Sequence, residues 1–302
     1  MASKTLINGT GYTVKGGKTL INGTGYSIKK GKTLINGTGY NITFGTPVVN
    51  LPIGTSVYLN ESGVRREWIV ANIGTPSWEN DSRFSSKPGT VGGQGDTEMY
   101  ANADGIWLLR KVHITDSVAF NSAGTNYYPG STIANFLNNT YYNRFDANIR
   151  NAIMTVKIPY ADVGSYSYFW AGDHGVDAKI FILSVSEQRA WGNIDKYLDG
   201  PQPGYVLQYF KDASEYRDAK RNTGEVQLTR TSIMNNRHTT PDRVVWIGAG
   251  YWSGGDDPSW NEGGYATVNG AVTSASSYGP FARPCMVLSK SVRVDSNMNI
   301  IV

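Results

Sequence analysis

The nine residues Lys-Thr-Leu-Ile-Asn-Gly-Thr-Gly-Tyr occur three times unchanged, at Lys4–Tyr12, Lys18–Tyr26 and Lys32–Tyr40. A fixed fourteen-residue period restricts what residues 1–45 can form more than any composition does. Each unit reads as a short strand, a turn at Asn-Gly and a second short strand, because Asn-Gly supplies the two positive-φ positions of a tight hairpin. One such unit has too little apolar surface to stand alone, so neighbouring copies or identical chains must stack against it. Residues 1–45 are therefore expected to be a β-repeat stem that drives oligomerisation, a homotrimer being the expected state.

The stem holds Lys4, Lys15, Lys18, Lys29, Lys30 and Lys32 with no acidic residue. The whole chain carries +4, so subtracting these six leaves −2 on the remainder, and the basic balance marks no nucleic-acid face there. With 302 residues the chain can hold one sizeable domain besides the stem, and its 35 glycines and 19 tyrosines favour short strands and loops over helical bundles. Cys285 is the single cysteine, which excludes an intramolecular disulfide and a cysteine-based metal cluster. There is no apolar run of membrane-spanning length and no hydrophobic core of a secretion signal near the N-terminus, so membrane insertion is not expected.

Gly45–Pro52 reads as a joint to a head spanning residues 46–302, since Pro47 and Pro52 interrupt pairing. Ser56–Leu59 and Glu67–Ala71 are expected strands around a turn at Glu61-Ser62-Gly63, and Thr75–Gly105 an expected surface loop. Ile106–Val112, Val156–Tyr160, Lys179–Val185 and Leu228–Ser232 are further strand candidates. Ile133–Met154 has apolar residues at helical spacing, with Ser131 or Thr132 as cap and a break near Asn138-Asn139-Thr140 giving two short helices. Ser186–Leu198 and Ala213–Arg221 read as short helices, with a turn at Asp199-Gly200-Pro201 between them. Trp68, Trp107, Phe181, Leu183, Val287 and Leu288 are the expected core, in a mixed sheet packed on the helices of 133–154.

Val244–Leu288 differs from the rest. No Lys or Arg lies between Arg243 and Arg283, while Trp246, Tyr251, Trp252, Trp260, Tyr265, Tyr278 and Phe281 alternate with Gly and Ser. Such a mixture favours loops joining short strands, and Tyr and Trp beside small polar residues are what adaptable recognition loops use. Core packing is the alternative for any one of these aromatics. The polar residues between them are hard to bury, which favours a binding surface for the set.

Several segments together resemble bacterial and prophage domains with a C-type-lectin-like fold, related to the formylglycine-generating enzyme. The similar pieces are the strand with Trp68, Trp107-Leu108-Leu109-Arg110, Phe136–Ile153, Lys179–Glu187, Leu228-Thr229-Arg230-Thr231-Ser232, and Ala266 through Arg283-Pro284 to Leu288. They follow the family order and cover most of residues 50–295. The chain departs from the pattern at Pro280-Phe281-Ala282 and rewrites the stretch from Ser232 to Tyr265. That rewriting is similar to the variable proteins of diversity-generating retroelements, which implies an α+β, C-type-lectin-like head with a variable-looking surface at about 232–265. The resemblance places Asn235, Asn236, His238, Tyr251, Trp252, Ser253, Asp256, Asp257, Trp260, Asn261 and Glu262 on the ligand-binding face.

A catalytic constellation is not legible. The enzymes resembled use a cysteine pair that Cys285 alone cannot supply, and a small buried thiol is its expected role. Asp256, Asp257, Asn261 and Glu262 are chemically suited to calcium, but their spacing does not match sugar-binding motifs, and no cofactor is expected. His113, His174 and His238 lack metal-ligand spacing, Asp173-His174 reads as a loop pair, and Gly92-Gly93-Gln94-Gly95 lacks the helix and lysine of a phosphate cradle. The expected function is non-enzymatic binding of a cell-surface protein or carbohydrate receptor by a phage or prophage tail component, attached to a tail or baseplate through the repeats. A location in the virion or outside a cell goes with that reading. A bacterial surface adhesin and a diverged formylglycine-generating-type enzyme are the alternatives.

Overall fold

The computed structural model describes residues 45–77, 79, 100–116, 118–160, 175–190, 204–213, 218–221, 227–231 and 281–302 with side chains, and the backbone of 3–7, 10–14, 18–21, 24–27, 30–35, 38–43, 232, 243–247 and 263–267. The architecture is α+β, dominated by antiparallel sheets.

The repeats fold as three hairpins: β1 (Ser3–Ile7) with β2 (Thr10–Val14), β3 (Lys18–Ile21) with β4 (Thr24–Ser27), and β5 (Lys30–Ile35) with β6 (Thr38–Thr43). Their register is the same each time, Thr5 opposite Tyr12, Thr19 opposite Tyr26 and Thr33 opposite Tyr40. Each hairpin is a separate two-stranded sheet.

The expected joint is part of the head. β7 (Thr46–Pro47) is the edge of a small sheet whose further strands, β18 (Arg293–Val294) and β19 (Ile300–Ile301), come from the C-terminal end. Pro47 is tolerated there because an edge position needs no donor on its outer side, and Val48 is buried with its N–H on the Val292 carbonyl at 3.1 Å.

The next strands are β8 (Ser56–Glu61), β9 (Val64–Ile73), β10 (Ile106–Arg110), β11 (Val156–Ile158), β12 (Val176–Ala178) and β13 (Ile180–Ile182). They are followed by β14 (Gln227–Ser232), β15 (Arg243–Ile247), β16 (Gly263–Thr267) and β17 (Pro284–Leu288). The central sheet has the order β13-β17-β10-β9-β8. Every pair in it is antiparallel, so the expected mixed sheet is not formed. The reason is that β17 returns from far along the chain and enters between β10 and β13. β8 and β9 join through Ser62 and Gly63, both left-handed at φ 49° and 85°, the conformation that matches strand twist in a two-residue hairpin.

All six expected core residues are buried. Alternation along β10 puts Leu108 and Arg110 on the Trp68 face and Trp107 and Leu109 on the other. Trp68 meets Phe145 edge-on at 6.0 Å, and Trp107 meets Tyr100 and Phe181 at 5.6 and 5.5 Å. Helix α1 (Thr132–Phe136) is capped by Ser131, whose hydroxyl accepts from the Ala134 N–H at 3.2 Å. The break expected at Asn138–Thr140 does not occur there. The coil continues as a wide turn through Tyr141 and a tight one through Arg144, and turns extended only at Phe145, before helix α2 (Ala147–Ala152). Asn138 is satisfied by tertiary bonds instead: its Oδ1 accepts from the N–H groups of Lys179 and Ile180 at 2.8 and 3.2 Å, and its amide donates to the Ile180 carbonyl at 2.9 Å.

Two further expectations change. Tyr100 and Ala103, at the end of the expected surface loop, are buried. In place of the start of a helix, residues 185–189 form turns, with Arg189 at φ 50°. Asp218–Arg221 is likewise turn, while 191–203 and 214–217 lie outside the described residues.

Candidate functional site

The residues expected to bind ligand fall, in sequence, in the two connections of the sheet β14-β15-β16. Asn235, Asn236 and His238 belong to the connection 233–242 between β14 and β15. Tyr251, Trp252, Ser253, Asp256, Asp257, Trp260, Asn261 and Glu262 belong to the connection 248–262 between β15 and β16. All eleven lie outside the described residues; their anchors do not. Ile247 and Gly263, which flank the longer connection, pair with each other, and Gln227 pairs with Ile247 from the other side. The shorter connection starts at the opposite end, where Ser232 pairs with Val244 and Arg243 with Thr267. The two connections thus leave opposite ends of β15, which at ~3.4 Å per residue are about 14 Å apart.

What holds this sheet on the head is a buried polar cluster that sequence reasoning quoted only as part of two motifs. Arg230 of β14 and Glu187 are fully buried and doubly bonded, Nη1 to Oε2 at 2.6 Å and Nη2 to Oε1 at 2.5 Å. Arg230 also donates to the carbonyls of Pro159 and Ile182, each at 2.7 Å. Glu187 accepts from the Tyr100 hydroxyl at 2.8 Å and from the Ser184 N–H at 2.9 Å, and that hydroxyl in turn accepts from the Tyr205 N–H at 3.0 Å. Burial pulls the Arg230 pKa down, but the Glu187 charge and its hydrogen bonds outweigh it and leave the guanidinium above its ordinary range. Burial, then the Glu187 charge, pushes the Tyr100 phenol well up. An arginine in the middle of an expected strand, Leu228–Ser232, was the available signal, since a buried charge needs a partner.

Sealed from solvent, this cluster ties four other chain segments to β14. Thr231 extends it, accepting the Val185 N–H at 3.0 Å. The departure at Pro280-Phe281-Ala282 has a structural role too: Phe281 is buried, and its carbonyl accepts the Leu228 N–H at 2.8 Å, tying β14 to the start of β17. Arg283 is buried and donates to the carbonyls of Arg110 and Lys220 at 2.7 and 3.0 Å. Burial lowers its pKa to about 10. On the other face of the central sheet, Glu61 accepts from Arg110 and Trp68, each at 3.1 Å.

Cys285 is buried, and burial pushes its thiol well up, away from reactive thiolate. His113 stacks on Phe281 at 4.4 Å; His174 and His238, with the Gly92–Gly95 stretch, lie outside the described residues. Among the described residues no three His, Cys, Asp or Glu side chains could hold a metal ion together, and no helix is long and apolar enough to cross a membrane.

A family model described as Domain of unknown function (DUF6273) matches residues 104–290, well over half of the chain. The chain belongs to the DUF6273 family. The DUF6273 region runs from just before β10 to just after β17, and so contains both Glu187 and Arg230. β8 and β9 lie outside it, although they complete the DUF6273 sheet. No curated protein and no solved structure matches the chain.

Proposed function

We propose that this chain is a non-enzymatic binding protein that presents the connections 233–242 and 248–262 to a receptor, a cell-surface protein or carbohydrate. The observation that carries the reading is the mounting of the longer connection. It springs from two residues paired with each other, Ile247 and Gly263, on a sheet whose first strand is bolted to the core by Arg230 and Glu187. A rigid base under loops is the usual design of recognition surfaces, because it limits the order lost on binding. The longer connection concentrates Tyr251, Trp252 and Trp260 among Gly, Ser, Asp and Asn without one Lys or Arg. The order of motifs supports a C-type-lectin-like head whose surface at 232–265 is diversified, and the repeats support a tail component of a phage or prophage.

Binding energy on such a surface concentrates in centrally packed Trp and Tyr. Trp252→Ala and Trp260→Ala should each weaken binding to a receptor found on glycan or surface-protein arrays by more than about 1 kcal/mol, with the melting temperature little changed. If both variants lose melting temperature in step with affinity, the two tryptophans belong to the core and the reading fails.

A further inference from the structure

The register of the three hairpins sorts their residues onto two faces. Residues directly opposite in an antiparallel pair share a face, and alternate residues along a strand do as well. Thr5 opposite Tyr12 and Ile7 opposite Thr10 therefore define one face, and Lys4 opposite Thr13 and Leu6 opposite Gly11 the other. The second hairpin repeats this with Ile21 and Tyr26 against Lys18 and Leu20, and the third with Ile35 and Tyr40 against Lys32 and Leu34. Neither face is polar throughout. Both carry a large aliphatic residue in every repeat, and each leucine stands opposite a glycine.

A two-stranded sheet in water is marginal, and one with apolar residues on both faces must be covered on both. The successive hairpins are not joined in one sheet. We propose that residues 3–43 assemble with further copies of this same chain into a closed ring of at least three, in which the isoleucine–tyrosine face of one copy covers the leucine–glycine face of the next.

Two arguments fix that occupant and the number. A five-residue hairpin face is roughly 17 by 10 Å, so three hairpins offer on the order of 500 Å² per face and 1,000 Å² over both. A ring buries both faces of every copy, on the order of 1,000 Å² in all across two interfaces. A dimer buries one face of about 500 Å², short of the roughly 800 Å² per partner of stable pairs. A two-fold dimer, moreover, uses the same patch on both copies and would leave the second face bare, whereas a ring uses two different faces of every copy and closes. The ring brings together Lys4, Lys15, Lys18, Lys29, Lys30 and Lys32 from each copy with no acid among them. Salt should therefore strengthen it by screening their repulsion.

The test is sedimentation of the full-length protein, 33.0 kDa per chain, at low and high salt. Wild type is expected at three or more chain masses, dissociating at lower concentration as salt rises. Leu6→Ser, Leu20→Ser and Leu34→Ser made together, and Ile7→Ser, Ile21→Ser and Ile35→Ser made together, should each give monomers with the head's thermal transition retained. Monomeric or dimeric wild type overturns the proposal. So does a loss of assembly confined to one of the two triple variants, or an assembly that salt dissolves.

Discussion

Arg230 and Glu187, forty-three residues apart in the chain, meet with both side chains wholly out of water, at 2.5 and 2.6 Å. Further bonds surround the pair: carbonyls of Pro159 and Ile182 take two of the three guanidinium N–H groups that it leaves, and the Tyr100 hydroxyl and the Ser184 N–H donate to the carboxylate. Such a pair is worth little against a well-packed apolar substitute, yet removing one partner strands a charge.

Arg230→Met and Glu187→Gln should therefore each cost about 3–5 kcal/mol in denaturant unfolding, by leaving the other group buried and uncompensated. A loss below about 1 kcal/mol in either variant would mean that the pair is not sealed. The double variant Arg230→Met with Glu187→Leu should recover a large part of the loss, because no buried charge remains.

Tyr100, Tyr128 and Tyr141 are buried, and burial raises all three phenols above their ordinary 10.0. The sign follows from proton counting. Below pH 10 native and unfolded states both hold these protons, so the contribution is complete; above it the unfolded chain releases protons that the native state retains, and stability falls. Urea midpoints measured at increasing pH should stay flat with respect to these groups up to about pH 9 and decline steeply beyond pH 10, less steeply in Tyr100→Phe. A Tyr100→Phe protein with an unaltered alkaline slope would contradict this assignment.

A Cβ on Gly105 would stand 2.5 Å from the Leu288 carbonyl oxygen and 2.6 Å from Val287 Cγ1. Backbone cannot yield as a side-chain tip can, so Gly105→Ala should push β10 away from β17 at a cost of about 1–3 kcal/mol. Thermal melting reads this directly, and an unshifted melting temperature would show that the two strands are not in such close approach.

Asn138→Ala removes the acceptor of two N–H groups and one amide donor at the helix–β13 contact. Unsatisfied groups of this kind cost about 1–3 kcal/mol each when buried. Hydrogen exchange should accelerate at Lys179 and Ile180 more than at β9, and uniform acceleration across the head would point to global destabilisation instead.

Local pattern alone determined the N-terminal hairpins and their register, the β8–β9 turn, the Ser131 cap and the burial of Trp68, Trp107, Phe181, Leu183, Val287 and Leu288. These depend on two-residue turn chemistry, strand alternation and apolar runs, which are written in neighbouring residues. Tertiary structure decided the rest. β17 lies between β10 and β13, making the sheet antiparallel, because pairing partners nearly two hundred residues apart leave no mark in local periodicity. Asn138 reads as a helix breaker by itself, and only its bonds from the N–H groups of Lys179 and Ile180 make the helical coil the better host. Glu187 read as the end of a strand motif and Arg230 as part of another. That one neutralises the other in a closed interior follows from the chain's path through space, since the electrostatic need of a buried charge identifies that a partner exists but not where in the sequence it lies.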